Sequence, residues 1–144
     1  MCLVLAAGCS RAARDPVQAM LEDLAAAAEA RAADRVLGRL SDAFQGRGAI
    51  PKAEIGPMLR RYFAGYESIG IELHNVEIEH QDDSARVRCV VAFSGHPRKA
   101  FGLEGLLPPS AVYRFDLEAA DEGGTWRVKR ASWEPAEPPS PSGS

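Results

Sequence analysis

Few side chains in this chain can do chemistry. There are three histidines (His74, His80, His96), three cysteines (Cys2, Cys9, Cys89) and three tyrosines (Tyr62, Tyr66, Tyr113). A metal site needs three or four donors converging on one point. The densest group of donors is His80 with Asp82 and Asp83, and it falls in a polar run, Gln81-Asp82-Asp83-Ser84, that reads as a solvated turn. No metal or other cofactor is therefore expected. Cys89 alternates with apolar neighbours and has no base paired with it, so it predicts a small buried hydrophobe rather than a nucleophile. Gly46-Arg47-Gly48 lacks the lysine of a phosphate loop. The net charge is −3 and there is no basic stripe, which excludes nucleic acid as a partner. The tyrosines remain. Each presents an apolar ring with one hydroxyl, the lining suited to a small apolar ligand. The expected pocket takes Tyr62 and Tyr66 from a helix, and Cys89 and Tyr113 from strands. The loop around 101–107 closes it, and His74 joins if a strand irregularity turns it inward.

The positioning elements follow from hydrophobic spacing. Asp15 can cap a helix and Pro16 suits its first turn, with an apolar face at Val17, Met20, Leu21, Leu24 and Ala28. Asp34 predicts a second, short helix carrying Val36, Leu37 and Leu40, which runs out into the loop at Gly46-Arg47-Gly48. A third helix starts near Pro51 and carries Ile55, Met58, Leu59, Tyr62, Phe63 and Tyr66. Pro57 lies inside it and predicts a late start or a kink. The period then changes from helical to alternating. Ile69, Ile71 and Leu73 share one face, and the phase slips across His74-Asn75 to Val76 and Ile78, the pattern of a β-bulge. Further strands carry Ala85 to Phe93, Ala111 to Leu117, and Trp126 with Val128. The expected core is Leu24, Leu40, Leu59, Phe63, Val87, Val91, Phe93, Phe115 and Trp126. Alternation places Glu72, Glu77, Glu79, Asp116 and Glu118 outward with Arg86, Arg88 and Arg114, so no acid falls on the apolar face of a strand.

The start of the chain, Leu5-Ala6-Ala7-Gly8-Cys9, resembles the end of a bacterial lipoprotein signal. That resemblance implies a diacylglycerol on Cys9 and a lipid-anchored protein on the periplasmic side of a bacterial membrane. The alternative is a cytoplasmic protein with an ordinary N-terminal segment. A secretory signal takes about 15–30 residues, so a start upstream of Met1 is expected. The expected organisation is a signal remnant at 1–9, a tether at 10–14, one folded domain at 15–134 and a disordered Pro/Ser-rich tail at 135–144.

Two segments carry a second resemblance. Residues 32–44, Ala-Ala-Asp-Arg-Val-Leu-Gly-Arg-Leu-Ser-Asp-Ala-Phe, and residues 124–133, Gly-Thr-Trp-Arg-Val-Lys-Arg-Ala-Ser-Trp, are similar to the second helix and last strand of the nuclear-transport-factor-2-like superfamily, which includes polyketide-cyclase-like and steroid-isomerase-like domains. The resemblance implies an α+β fold, with N-terminal helices packed in a curved, bulged antiparallel sheet that closes into a cone-shaped barrel. It differs from the usual pattern in an early strand pair reduced to little more than Phe44-Gln45 and a Pro-rich loop near 102–109. The fold hosts enzymes, carriers and interaction modules alike. Steroid-isomerase-like members use an inward acid as a proton shuttle, and the alternation here supplies none. The expected function is therefore non-catalytic: a tethered domain that binds a small apolar ligand or a protein partner. The alternatives are an isomerase, dehydratase or cyclase, and a ligand-free dimerisation module in which the charged outer sheet face pairs two copies as a homodimer.

Overall fold

Asp15 turns the chain into its first helix. Its Oδ1 accepts the Val17 N–H at 2.8 Å, and Pro16 occupies the first helical position, where no N–H is needed. The computed structural model describes residues 15–97 and 110–137. In chain order the elements are α1 (Pro16–Glu29), α2 (Ala33–Gly38), β1 (Leu40–Gly46), β2 (Ile50–Pro51), α3 (Lys52–Ala64), β3 (Tyr66–Gln81), β4 (Ser84–Pro97), β5 (Ser110–Glu122) and β6 (Thr125–Pro135). The six strands form one sheet in the order β2-β1-β6-β5-β4-β3. Only β1 and β6 run parallel.

The phase slip in the sequence is a real bulge. Pairing of β3 with β4 shifts register between His74 and Glu77, and Asn75 takes a positive φ of 52°. Asparagine tolerates that region better than most residues. A second shift between Glu118 and Ala119 interrupts the β5–β6 ladder. Bulges bend and twist a sheet, and here the sheet curves round the helices as an open cone. The hairpins at its far end are tight. Gly123 and Gly124 both have positive φ (67° and 94°), the requirement of a two-residue hairpin turn that matches the strand twist.

Several expectations are corrected. The second helix stops at Gly38, and Leu40 opens β1 instead of continuing the helix. Ser41 and Asp42 obscure the alternation there, but Leu40, Ser41, Phe44 and Gly46 are buried because β1 lies against β6, with Leu40 beside Val128 and Gln45 beside Arg130. The early strand pair is thus a full seven-residue strand with a two-residue partner. Helix α3 runs through Pro57 from Lys52, so it starts at the expected place. It ends at Ala64, and Tyr66 is the first residue of β3 rather than the last of the helix. The folded part extends beyond residue 134: β6 includes Pro135, and the Ala136 N–H donates to the Val112 carbonyl at 2.8 Å.

The core has two parts. The larger joins Val17, Met20 and Leu21 of α1 to Leu40, Phe44, Val87, Leu117 and Val128 of the sheet. Fully burying one such aliphatic side chain stabilises by about 1.5–3 kcal/mol. The smaller part groups Ala33, Phe63, Tyr66, Ile69 and Phe93. Of the expected core, Leu40, Phe63, Val87 and Phe93 are buried. Leu24, Leu59, Val91, Phe115 and Trp126 are only half-buried at its margin. Helix α1 lies along β3 and is fixed there at three points. His80 Nε2 lies 2.9 Å from Asp15 Oδ2, the Ile71 N–H donates to Glu29 Oε2 at 3.0 Å, and the Arg31 guanidinium donates to the Tyr66 carbonyl at 3.0 Å. No described helix is long and apolar enough to cross a membrane.

Candidate functional site

Where β4 ends and β5 begins, aromatic rings from three elements converge. Tyr62 comes from the last turn of α3, Tyr66 from the start of β3 and Phe93 from β4. Ring centroids are 5.3 Å apart for Tyr62–Tyr66, 5.8 Å for Tyr62–Phe93 and 5.1 Å for Tyr66–Phe93, all tilted or edge-on. These are favoured aromatic geometries. Tyr66 is completely buried, whereas Tyr62 is 37% exposed. The close approach depends on Gly95, since a Cβ there would stand 2.7 Å from Cδ1 of Tyr66.

Tyr113 completes the wall. It is half-buried opposite Val91, and its ring meets Phe115 edge-on at 6.4 Å. Burial pushes the Tyr62 hydroxyl well above the usual tyrosine range, and its hydrogen bond with Tyr66 and the nearby Tyr113 act in the same direction. The Tyr62 phenol stays neutral at ordinary pH. It can donate and accept hydrogen bonds, but it is held away from the phenolate a proton shuttle would need.

The other expected pocket residues separate from this cluster. Cys89 is buried in the main core opposite Phe115, and burial pushes its thiol up to about 11, which removes it as a nucleophile. His74 lies on the outer sheet face opposite Val90, its Nε2 3.2 Å from Glu72 Oε1. The bulge does not turn it inward, so His74 is no part of the tyrosine site. The loop residues 101–107, Cys2 and Cys9 lie outside the described residues.

The sequence reading missed one group on the inner side. His80 does not stand in the turn with Asp82 and Asp83. It shares the inward phase of Val76 and Ile78, packs edge-on against Trp126 at 5.6 Å and bonds both oxygens of Asp15. The Asp15 carboxylate can only accept, so His80 Nε2 carries the proton of these bonds. Burial pushes the Asp15 carboxyl up, but the bonds from His80 and the Val17 N–H outweigh it and hold the carboxyl below its usual value. The signal for His80 was present: the alternation through Val76 and Ile78 reaches His80 unbroken.

The outer face carries columns of alternating sign. Acids on β3 (Glu77, Glu79) face arginines on β4 (Arg88, Arg86), which face acids on β5 (Asp116, Glu118). Arg86 grips Asp116 through two bonds of 3.1 and 2.7 Å and holds its carboxyl low against the opposing effect of burial. A groove of about 790 Å³ runs over this face between Glu79, Arg88, Asp116 and Arg130. His96 is also on this side, its Nδ1 2.8 Å from Ser68 Oγ. Among the described residues no three histidine, cysteine or carboxylate side chains stand close enough to hold a metal ion.

No protein-family model matches the chain, and no curated protein matches its sequence. Solved structures do. A Kribbella flavida protein superposes with a TM-score of 0.73 at 16% identity, over 89% of this chain and 93% of its own. A candidate scytalone dehydratase from Novosphingobium aromaticivorans gives 0.72 at 13% identity, over 84% and 82%. A candidate dehydratase of the nuclear-transport-factor-2-like family from Streptomyces avermitilis gives 0.68 at 13% identity, over 85% and 94%. A Bdellovibrio bacteriovorus protein gives 0.69 at 15% identity, and 83% of this chain spans only 40% of that one. At these identities the likeness establishes the fold. The chain has the nuclear-transport-factor-2-like fold.

Proposed function

From this fold and the chemistry of its inner wall, we propose that the chain is a non-catalytic binding domain. It takes a small apolar ligand, or the apolar segment of a protein partner, at the tyrosine-lined end of the cone. Lipid on Cys9 holds it at the periplasmic side of a bacterial membrane. The observation that carries the reading is the convergence of Tyr62, Tyr66 and Phe93, with Tyr113 beside them. Apolar ring faces with a few hydroxyls favour binding. General-base catalysis needs a group that readily gives up its proton, and burial holds the Tyr62 hydroxyl away from that role.

A thermal-shift and native mass-spectrometry screen against lipids and aromatic acids tests the reading. A ligand that stabilises the native chain, and loses that effect in Tyr62→Ala, supports it. No shift with any apolar ligand would leave the interaction module as the better account. For the anchor, the gene is expressed with its upstream in-frame codons and the cells are fractionated. Membrane recovery that Cys9→Ser abolishes is the expected outcome.

A second reading rests on Asp15 and His80. A carboxylate that holds an imidazole N–H in place is one part of the arrangement of a general base. Two of the structural neighbours are candidate dehydratases. Here the carboxylate also caps α1, which gives the pair a structural role of its own.

A further inference from the structure

Strand β3 stands at one edge of the sheet and is its longest strand, sixteen residues bonded on one side only, to β4. An edge strand presents a row of unpaired N–H and C=O groups to any extended chain of fitting chemistry. Ladder bonds alternate along an antiparallel strand. The two-residue turn at Asp82-Asp83 closes on the pair Gln81–Ser84, so Gln81, Glu79 and Glu77 bond to β4 while Ile78 and His80 aim their backbone groups outward. Nearer the start of β3 such groups are capped within the molecule. The Ile71 N–H donates to Glu29 Oε2, and the Tyr66 carbonyl accepts from Arg31. The backbone of Ile78 and His80 has no such cap among the described residues.

The side chains of this open stretch sort by face. Val76 and Ile78 pack on the core but are only half-buried, whereas Glu77 and Glu79 are exposed on the outer face. On that face the charges run in two columns, Asp116–Arg88–Glu77 and Glu118–Arg86–Glu79. Arg86 bonds Asp116 twice, and Arg88 lies 4.0 Å from the same carboxylate. Both cations thus lean toward β5. Neither Glu77 nor Glu79 makes an ion pair among the described residues. The next place in each column, beyond the edge, is one for a cation.

We propose that the edge of β3 from Leu73 to Gln81 binds an extended basic segment of another protein as an antiparallel seventh strand. Its lysines or arginines lie beside Glu77 and Glu79, and its alternate apolar residues lie beside Val76 and Ile78. A second copy of this chain does not fit through the same edge, because self-pairing centred on Ile78 would set Glu77 against the other copy's Glu79, and like charges directly opposite are unfavourable. The site is at the far end of β3 from Tyr66 and does not rest on the tyrosine cluster as a binding site.

The test uses the full chain and two dye-labelled nine-residue peptides, one alternating lysine with valine and one alternating glutamate with valine, followed by fluorescence anisotropy. The lysine peptide is expected to bind and the glutamate peptide to stay free. Glu77→Gln/Glu79→Gln should weaken binding about tenfold. Amide exchange at Ile78 and His80 should slow when the peptide is bound. Methylating the valine nitrogens, which would donate to β3, should abolish binding, whereas methylating the lysine nitrogens of the backbone should not. A valine-methylated peptide that binds as tightly would overturn strand addition in favour of a charge contact alone. No binding of the lysine peptide, or equal binding of both peptides, would overturn the proposal. So would slow exchange of Ile78 and His80 in the free chain, because the edge would already be covered.

Discussion

Replacing Gly95 by alanine probes the aromatic cluster with a single methyl group. An added Cβ would stand 2.7 Å from Tyr66 Cδ1, 2.9 Å from Tyr66 Cε1 and 3.0 Å from Phe93 Cζ. The Tyr66 ring has nowhere to retreat, because it is fully buried between Tyr62 and Phe93. The rings must shift together or the strand must move away. Overpacking of this kind costs about 1–3 kcal/mol. For a domain of this size that is a fall in melting temperature of roughly 4–12 °C. Gly38→Ala is the matched control. Nothing lies within 4 Å of the Cβ it would add, at the end of α2. It should be neutral or stabilising by up to about 1 kcal/mol. The assay is urea unfolding of the wild type and both variants. Combining Gly95→Ala with Tyr66→Ala should cost less than the sum of the two, because the second change removes the ring that the first one strikes. A Gly95→Ala protein as stable as Gly38→Ala, with additive double-variant energies, would refute the packing argument.

Phe115 stacks on Trp133 at 5.9 Å, while Arg114 next to it makes only an exposed pair with Glu134 at 3.1 Å. Phe115→Ala should therefore destabilise by about 2–4 kcal/mol and Arg114→Ala by less than about 1 in thermal denaturation. Asp15→Ala should cost about 1–2 kcal/mol, while Asp15→Asn keeps most of the cap. Because the folded carboxyl of Asp15 is held below its unfolded value near 3.8, its contribution is complete above that pH and is lost as pH falls through the folded value. Unfolding curves of wild type and Asp15→Asn should converge in acid. With its thiol pushed up to about 11, Cys89 should resist an aromatic disulfide reagent at neutral pH in a Cys2→Ser/Cys9→Ser background and react on unfolding, as followed by absorbance.

How far the sequence reached can be judged element by element. The start of α1 was legible because Asp15 and Pro16 act within one turn of each other. The bulge was legible because a slip of one residue moves every later side chain to the other face: Leu73 and Val76 both pack on the core across a positive-φ Asn75. Strand β1 was not legible. Its neighbour is β6, and no local period in Leu40–Gly46 announces a partner so distant in the chain. The tyrosine cluster was half legible. Helical spacing through Tyr62 continued past the true helix end, so Tyr66 was drawn from the wrong element although it reached the same site. His80 was misplaced because its polar neighbours at 81–83 outweighed an alternation that already put it inside. His74 was drawn to the site by the bulge itself, yet a bulge re-aims some side chains and leaves others where they were.

The parallel pairing of β1 with β6 also fixes an order of events. Apart from two-residue β2, the one described strand that pairs with β1 is β6, the last of the described strands in chain order. Residues 16–64 hold helices and a strand whose sheet partner begins only at Thr125. Closing a loop of that length costs on the order of 4 kcal/mol in chain entropy, and it must be met before the contacts it permits are made. The β3–β4–β5 ribbon can form early from neighbours in sequence and offers β3 to α1, while β1 waits for β6. Pairing of β1 with β6 is thus a late step in folding. A chain cut before β6 would leave β1 without its long partner and expose the inner edge of β5, a substrate for proteases rather than a smaller folded protein.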